Sequence, residues 1–269
     1  FAWPRQIDHN GSILRNANGG LMELETLLRH ISDGRTDLVF ELLKRDRWEE
    51  EVGHESISPL SWLVYYGDAT ALRAVRANAR ALPGLDLNLE LNSAAFFGHW
   101  KVCDFLIECG AEPTYCLPKT QETALHSALC KAGRPHYGYT VRLLLERGAD
   151  PNACTQPGAE SEAFMRDVRT RGETPLHRAA AFADAATITL LLEHGADVTL
   201  KDAHGDTPLS WASWHLRPGE VLQLLTFPPH HISNRHVASN TSDHGQGWGN
   251  GMERNLLGAY RPLSRSADS

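Results

Sequence analysis

Two stretches of this chain repeat each other, and no other feature constrains its fold as much. Thr174-Pro-Leu-His-Arg-Ala-Ala leads to Leu190-Leu-Leu-Glu-His-Gly-Ala-Asp, and Glu122-Thr-Ala-Leu-His-Ser-Ala leads to Leu143-Leu-Leu-Glu-Arg-Gly-Ala-Asp-Pro-Asn. Weaker copies start at Ser58-Pro-Leu-Ser-Trp, at Glu90-Leu-Asn-Ser-Ala-Ala and at Thr207-Pro-Leu-Ser-Trp-Ala. The corresponding leucines are Leu60, Leu91, Leu125, Leu176 and Leu209, separated by 31, 34, 51 and 33 residues. A period near 33 marks a supersecondary unit that cannot bury its apolar face alone and must stack on its neighbours. Thr174-Pro175 and Thr207-Pro208 place a capping hydroxyl before a proline at the first helical position, where a missing N–H costs nothing. Gly110, Gly148 and Gly195 follow apolar runs, as left-handed residues that end a helix do.

The paired motifs closely resemble the ankyrin repeat, with its TPLHxAA helix start and LLLxxGADxN helix end. The resemblance covers about residues 22–225 and implies an all-α solenoid of five to six stacked helix pairs. The repeats fall near 22–55, 56–88, 89–121, 122–154, 172–204 and 205–225. Residues 1–21 form an N-terminal extension, and 226–269 a C-terminal one expected to pack on the last repeat. In this family the histidine of the TPLH motif braces the turn, so His126 and His177 are expected to be structural.

The family also implies that residues two, five and six after each motif leucine line a concave groove. Here these positions are Trp62, Tyr65 and Tyr66; Ser93, Phe96 and Phe97; Ser127, Cys130 and Lys131; Arg178, Ala181 and Phe182; Trp211, Trp214 and His215. Eight of the fifteen are aromatic in a chain that is 8% aromatic overall. Such density fits a binding surface, because aromatic residues dominate interface hot spots, and fits internal packing equally. The predicted binding set is Trp62, Tyr65, Tyr66, Phe96, Phe97, Arg178, Phe182, Trp211, Trp214 and His215.

Two insertions interrupt the repeats. Residues 133–139 lengthen the turn inside one helix pair and are expected to bring His136, Tyr137 and Tyr139 to the groove rim. Residues 155–171 extend the hairpin after Asn152. Phe164, Met165 and Val168 there have the spacing of a short helix, and Arg166, Arg169 and Arg171 read either as a solvated face or as an anion clamp. The tail carries His230, His231, His236 and His244 and a Gly-rich run, with Trp248, Leu256 and Tyr260 as anchors for an ordered strap.

Composition narrows the function. A net charge of −7 with no basic block argues against nucleic acid. No apolar run reaches the length of a membrane span. Cys103, Cys109, Cys116, Cys130 and Cys154 are odd in number and form no CxxC pair, which suits free thiols and the cytoplasm. The chain begins with Phe1, which leaves a removed export signal open. The histidines lack ligand spacings, and no P-loop, GxSxG or dinucleotide fingerprint occurs, so neither metal nor cofactor is expected. The leading reading is a scaffold that recognises a protein or peptide partner through the aromatic groove. The alternative is a small-molecule binder for a sugar-like or flat ring compound, or an atypical enzyme, with the groove closed by 155–171 and the tail. Its acid–base candidates are His215, Asp167, His136 and Tyr139.

Overall fold

The computed structural model describes residues 23–45, 48, 58–79, 82, 84–134, 136–161 and 169–228. The chain divides into two compact units, residues 1–90 and 91–269. Among the described residues the fold is all-α, and it consists of successive helix pairs.

In the first unit, α1 (Leu24–Ser32) is followed by a 3-10 turn and α2 (Val39–Leu42), then by α3 (Pro59–Tyr66) and α4 (Ala69–Asn78). First helix meets first helix (α1 with α3) and second meets second (α2 with α4). The core of this unit is Leu27, Ile31, Val39, Leu42, Leu60, Leu63, Leu72 and Val75, all buried. Ser58 caps α3, accepting from Leu60 N at 3.3 Å, with Pro59 at the first helical position. Asp68 caps α4 through Ala71 N at 2.9 Å.

Helix α5 (Leu87–Phe97) leads into the second unit, which continues with α6 (Trp100–Glu108), α7 (Ala124–Ala128), α8 (Tyr137–Glu146), α9 (Pro175–Phe182), α10 (Ala185–Glu193), α11 (Pro208–Trp214) and α12 (Gly219–Leu224). The first helices α7, α9 and α11 form one layer and the second helices α6, α8, α10 and α12 the other. The fully buried Ala179 and Ala180 let neighbouring helices approach closely. Gly148 and Gly195 take φ of +90° and +86° as the second helices end, where a side chain would be strained.

The motif histidines explain how one repeat is fastened to the next. His126 Nδ1 accepts from Thr123 N at 3.2 Å, so the ring proton sits on Nε2, which donates to the Glu173 carbonyl at 3.2 Å. His177 repeats the arrangement: Nδ1 accepts from Thr174 N at 3.1 Å and Nε2 donates to the Asp206 carbonyl at 3.0 Å. Each imidazole thus closes its own helix start and holds the loop of the following repeat. Burial pushes the His126 pKa down to about 3, assisted by the charge of Arg178, and lowers that of His177 as well.

Leu176 lies at the second position of α9 and is fully buried. Leu176→Ala is expected to lower stability by about 2–5 kcal/mol, read from urea denaturation. A loss below about 1 kcal/mol would mean that the two helix layers do not share a packed core.

The first insertion differs from its sequence reading. α7 has only five residues and α8 begins at Tyr137, so the lengthened turn runs over 129–136 and Tyr137 and Tyr139 belong to the second helix. At the base of the other insertion, Gly158 N donates to Thr170 O at 2.7 Å and Thr170 N to Ala159 O at 2.8 Å. Glu160 and Arg169 form an isolated antiparallel bridge there. The expected helix with Phe164, Met165, Arg166 and Val168, together with Asp167, lies outside the described residues. So do the N-terminal extension and the tail from residue 229 on.

Candidate functional site

The residue before each capping threonine is acidic: Glu122, Glu173 and Asp206. This recurrence corrects the expectation for Arg178. Its side chain is 0% exposed and forms no part of an open groove. One Nη donates to Glu122 Oε1 and to Glu173 Oε1, each at 2.6 Å, and the other to the His126 carbonyl at 3.1 Å. Burial by itself would raise the Glu122 carboxyl, but Arg178 and the Ser161 and Thr120 hydroxyls bring it below its ordinary value. Glu173 also accepts from Thr155 Oγ1 at 2.7 Å and from Arg171 N at 2.6 Å, and Glu122 from Ser161 Oγ at 2.7 Å. The buried acids therefore anchor both ends of the 155–171 finger.

The arginines of that finger are also engaged. Arg171 pairs with Asp202 at 3.2 Å and Asp206 at 3.7 Å, and its guanidinium lies 5.4 Å from the Trp214 ring. Arg169 donates to the Gly158 carbonyl at 2.7 Å and pairs with Glu160 at 3.3 Å. Among the described residues, an anion clamp built from these arginines is replaced by internal ion pairs.

Of the fifteen predicted groove positions, Ser127, Cys130, Arg178, Ala181, Phe182, Trp211 and His215 are buried. All seven come from the last three repeats, so for Phe182, Trp211 and His215 the aromatic density is internal packing. Trp211 donates from Nε1 to Asp202 at 3.1 Å and lies edge-on to His177. Phe182 meets His215 edge-to-face at 5.1 Å. The half-buried Trp214 stacks on Trp211 at 6.3 Å.

Earlier positions stay accessible. In the first unit Trp62, Tyr65 and Tyr66 form one ring cluster, with Tyr66 41% exposed and its hydroxyl donating to the Ser32 carbonyl at 2.9 Å. In the second, the half-buried Phe96 and Phe97 meet edge-to-face at 5.1 Å, and Lys131 Nζ stands 3.8 Å from the Phe96 ring centre.

The described acid–base candidates, His215, His136 and Tyr139, sit in different surroundings. His215 is buried against Phe182, and burial with the Arg217 charge pushes its pKa down to about 4. His136 is exposed beside Tyr137. Tyr139, 65% exposed, faces Trp100 on the second-helix side and is not at the groove rim. Tyr137 is likewise turned inward: it is buried, and its hydroxyl donates to the Phe96 carbonyl at 2.8 Å. Its ring fills the space beside Gly98 (φ +75°), where a Cβ would approach to 2.7 Å. Among the described residues no group of three or more His, Cys, Asp or Glu is placed to hold a metal ion.

The second unit also contains a cavity that the sequence did not point to. It measures about 320 Å³ and opens where the inter-helix turns of three successive repeats meet. Lys131 and Arg134 of the lengthened turn, Asp184 and Arg217 stand around it, over a floor that includes Val141 and Phe182. Only Phe182 belongs to the predicted set. The signal available in the sequence was weak: single basic residues in turns, with Arg134 and Arg217 83 positions apart.

Comparison with known proteins agrees with this architecture. Residues 120–156 match the family described as "Ankyrin repeat", and residues 158–235 that described as "Ankyrin repeats (3 copies)". Rabankyrin-5 of Homo sapiens is 40% identical over 124 residues, which is 45% of this chain and 9% of that protein. The Mus musculus Rabankyrin-5 is 36% identical over 122 residues, again 45% and 9%. The ARF GTPase-activating protein Git of Drosophila melanogaster is 32% identical over 137 residues, 45% of this chain and 16% of that protein. The chain thus spans less than a fifth of the length of these relatives, and a shared fold does not by itself carry a reaction. Period, capping histidines, paired helix layers and family matches converge: the chain is an ankyrin-repeat protein.

Proposed function

We propose that the chain is a recognition module that binds a protein or peptide partner through the accessible rings on its first-helix face. Ankyrin repeats generally mediate protein–protein interaction, and no helix among the described residues is long and apolar enough to cross a membrane. The observation that carries the reading is the pairing of accessible rings with cations in the second unit. Phe96 and Phe97 lie under Lys131, and Trp214 lies beside Arg171. The rings offer flat apolar contact, as hot spots do. Lys131 adds a charge that selects the partner, whereas the Arg171 charge is met by Asp202 and Asp206. The first unit presents a separate surface of the same kind in Trp62, Tyr65 and Tyr66. Five separate thiols, with Cys103 and Cys130 buried, support a reducing compartment such as the cytoplasm.

The test is peptide display on the full chain, followed by titration of the selected peptides. Phe97→Ala and Trp214→Ala should each weaken binding by about 2 kcal/mol or more, roughly 30-fold. Their melting temperatures should fall less than that of Leu176→Ala. Selected peptides that bind both variants as tightly as the parent would refute the reading. A metabolite that raises the melting temperature only when Trp214 is present, with no peptide selected, would replace it with the small-molecule alternative.

A further inference from the structure

The cavity among the turns has an unbalanced wall. Three of its side chains are cationic (Lys131, Arg134 and Arg217), against one carboxylate, Asp184. That carboxylate caps α10, accepting from Thr187 N at 2.8 Å, and its charge offsets part of that of Arg217. Lys131 and Arg134 form no ion pair among the described residues; their contacts are rings, Phe96 at 3.8 Å and Tyr137 at 5.9 Å. Arg217 donates from one Nη to the Ala183 carbonyl, while its buried Nε has no hydrogen-bond partner. A buried donor left unmade costs free energy that an arriving acceptor restores. Burial pushes the pKa values of both Lys131 and Arg217 down, and Arg134 adds to the effect at Lys131. The cavity wall thus carries more positive than negative charge, with Arg217 partly offset by Asp184 and Glu220.

The floor is apolar, and the volume stands at the lower end for ligand cavities, enough for a pair of side chains and little more. The whole chain carries −7, so an acidic partner is repelled by most of the surface and attracted here. We propose that this pocket receives an acidic segment of a protein partner, with an Asp or Glu carboxylate between Arg217, Lys131 and Arg134 and a neighbouring apolar residue on Phe182 and Val141. A carboxylate accepts on both oxygens and matches the free donors of an arginine fork. The proposal rests on the recognition reading and gives the partner a chemistry.

The experiment uses an array of twelve-residue peptides in which one to three Glu flank a Leu or Phe, each with its Gln counterpart, probed with the full chain. Glu peptides should be retained and Gln counterparts lost. Lys131→Gln with Arg134→Gln, and separately Arg217→Gln, should weaken the best peptide about tenfold or more with little change in melting temperature. Affinity should fall as salt rises, since partly exposed charges are screened. Lys131→Glu with Arg134→Glu should switch preference to the Lys versions of the same peptides, which a merely structural role would not produce.

Acetate and inorganic phosphate, followed at the Arg217 Nε–H resonance, form the second arm. If either anion shifts that resonance and no peptide binds in a Glu-dependent way, the pocket is a small-anion site and the proposal is overturned. Peptides that need Phe97 or Trp214 but ignore Glu would sink the pocket and leave the recognition reading standing. An array that retains nothing would sink both.

Discussion

Replacing Arg178 by methionine is expected to cost about 3–5 kcal/mol of folding stability, because it strands two buried carboxylates. The guanidinium holds Glu122 and Glu173 at 2.6 Å each, and all three side chains are fully buried. Neither acid is exposed to solvent, so removing their one shared cation leaves charge that must be protonated or driven to the surface. The loss should reach beyond α9. Glu122 holds Ser161, and Glu173 holds Thr155 and the Arg171 backbone, so the base of the 155–171 finger loosens with them. Hydrogen exchange should accelerate at the Gly158 and Thr170 amides, which bridge that base. Adding Glu122→Gln to the methionine variant should recover part of the loss, since a neutral amide tolerates burial better than an unpaired carboxylate. A single-variant cost below about 1 kcal/mol would show that the cluster is hydrated and contributes little.

Acid should unfold the second unit well above the pH at which ordinary carboxylates protonate. His126 is held down at about 3 and His215 at about 4, and His177 is lowered too, with burial the leading cause in each. In the unfolded chain these imidazoles titrate near about 6.5. A folded value below the unfolded one means that the unfolded state takes up protons first as pH falls. The contribution is therefore complete above about pH 6.5 and is lost progressively down toward pH 4 and 3. With three such groups the slope can approach about 4 kcal/mol per pH unit. The lowered Glu122 acts in the same direction at lower pH. In the first unit, burial raises Glu90 although Ser61 donates to it, which works the opposite way. Urea midpoints measured from pH 7.5 to 4.5 should fall steeply, and His215→Phe, set against Phe182, should remove about a third of the slope. A flat profile through this range would mean that the three rings are not held neutral by burial.

The repeats were legible in the sequence because every signal that defines them is local. Thr174 and His177 lie three residues apart, Pro175 and Pro208 sit where helices begin, and Leu60, Leu91, Leu125, Leu176 and Leu209 recur with the spacing of one stacked unit. A cap, a helix face and a left-handed stop depend on neighbours within a few residues, so the chain specifies them wherever it goes. The accessibility of a side chain does not work that way, because it depends on what the next repeat lays over it. Arg178 and Trp62 occupy equivalent registers, yet one is enclosed by two acids and the other remains half-buried. Trp211 and His215 were expected on the groove and are packed against His177 and Phe182. Tyr137 and Tyr139 moved to the second helix because α7 stops at Ala128 and α8 starts at Tyr137. Only the tertiary structure could bring Arg134, Asp184 and Arg217 to one cavity, because repeat stacking places turns side by side whose sequences carry no mark of one another. The period and the caps belong to the chain itself; which charges are buried, and which line a cavity, is decided by the stacking of one repeat on the next.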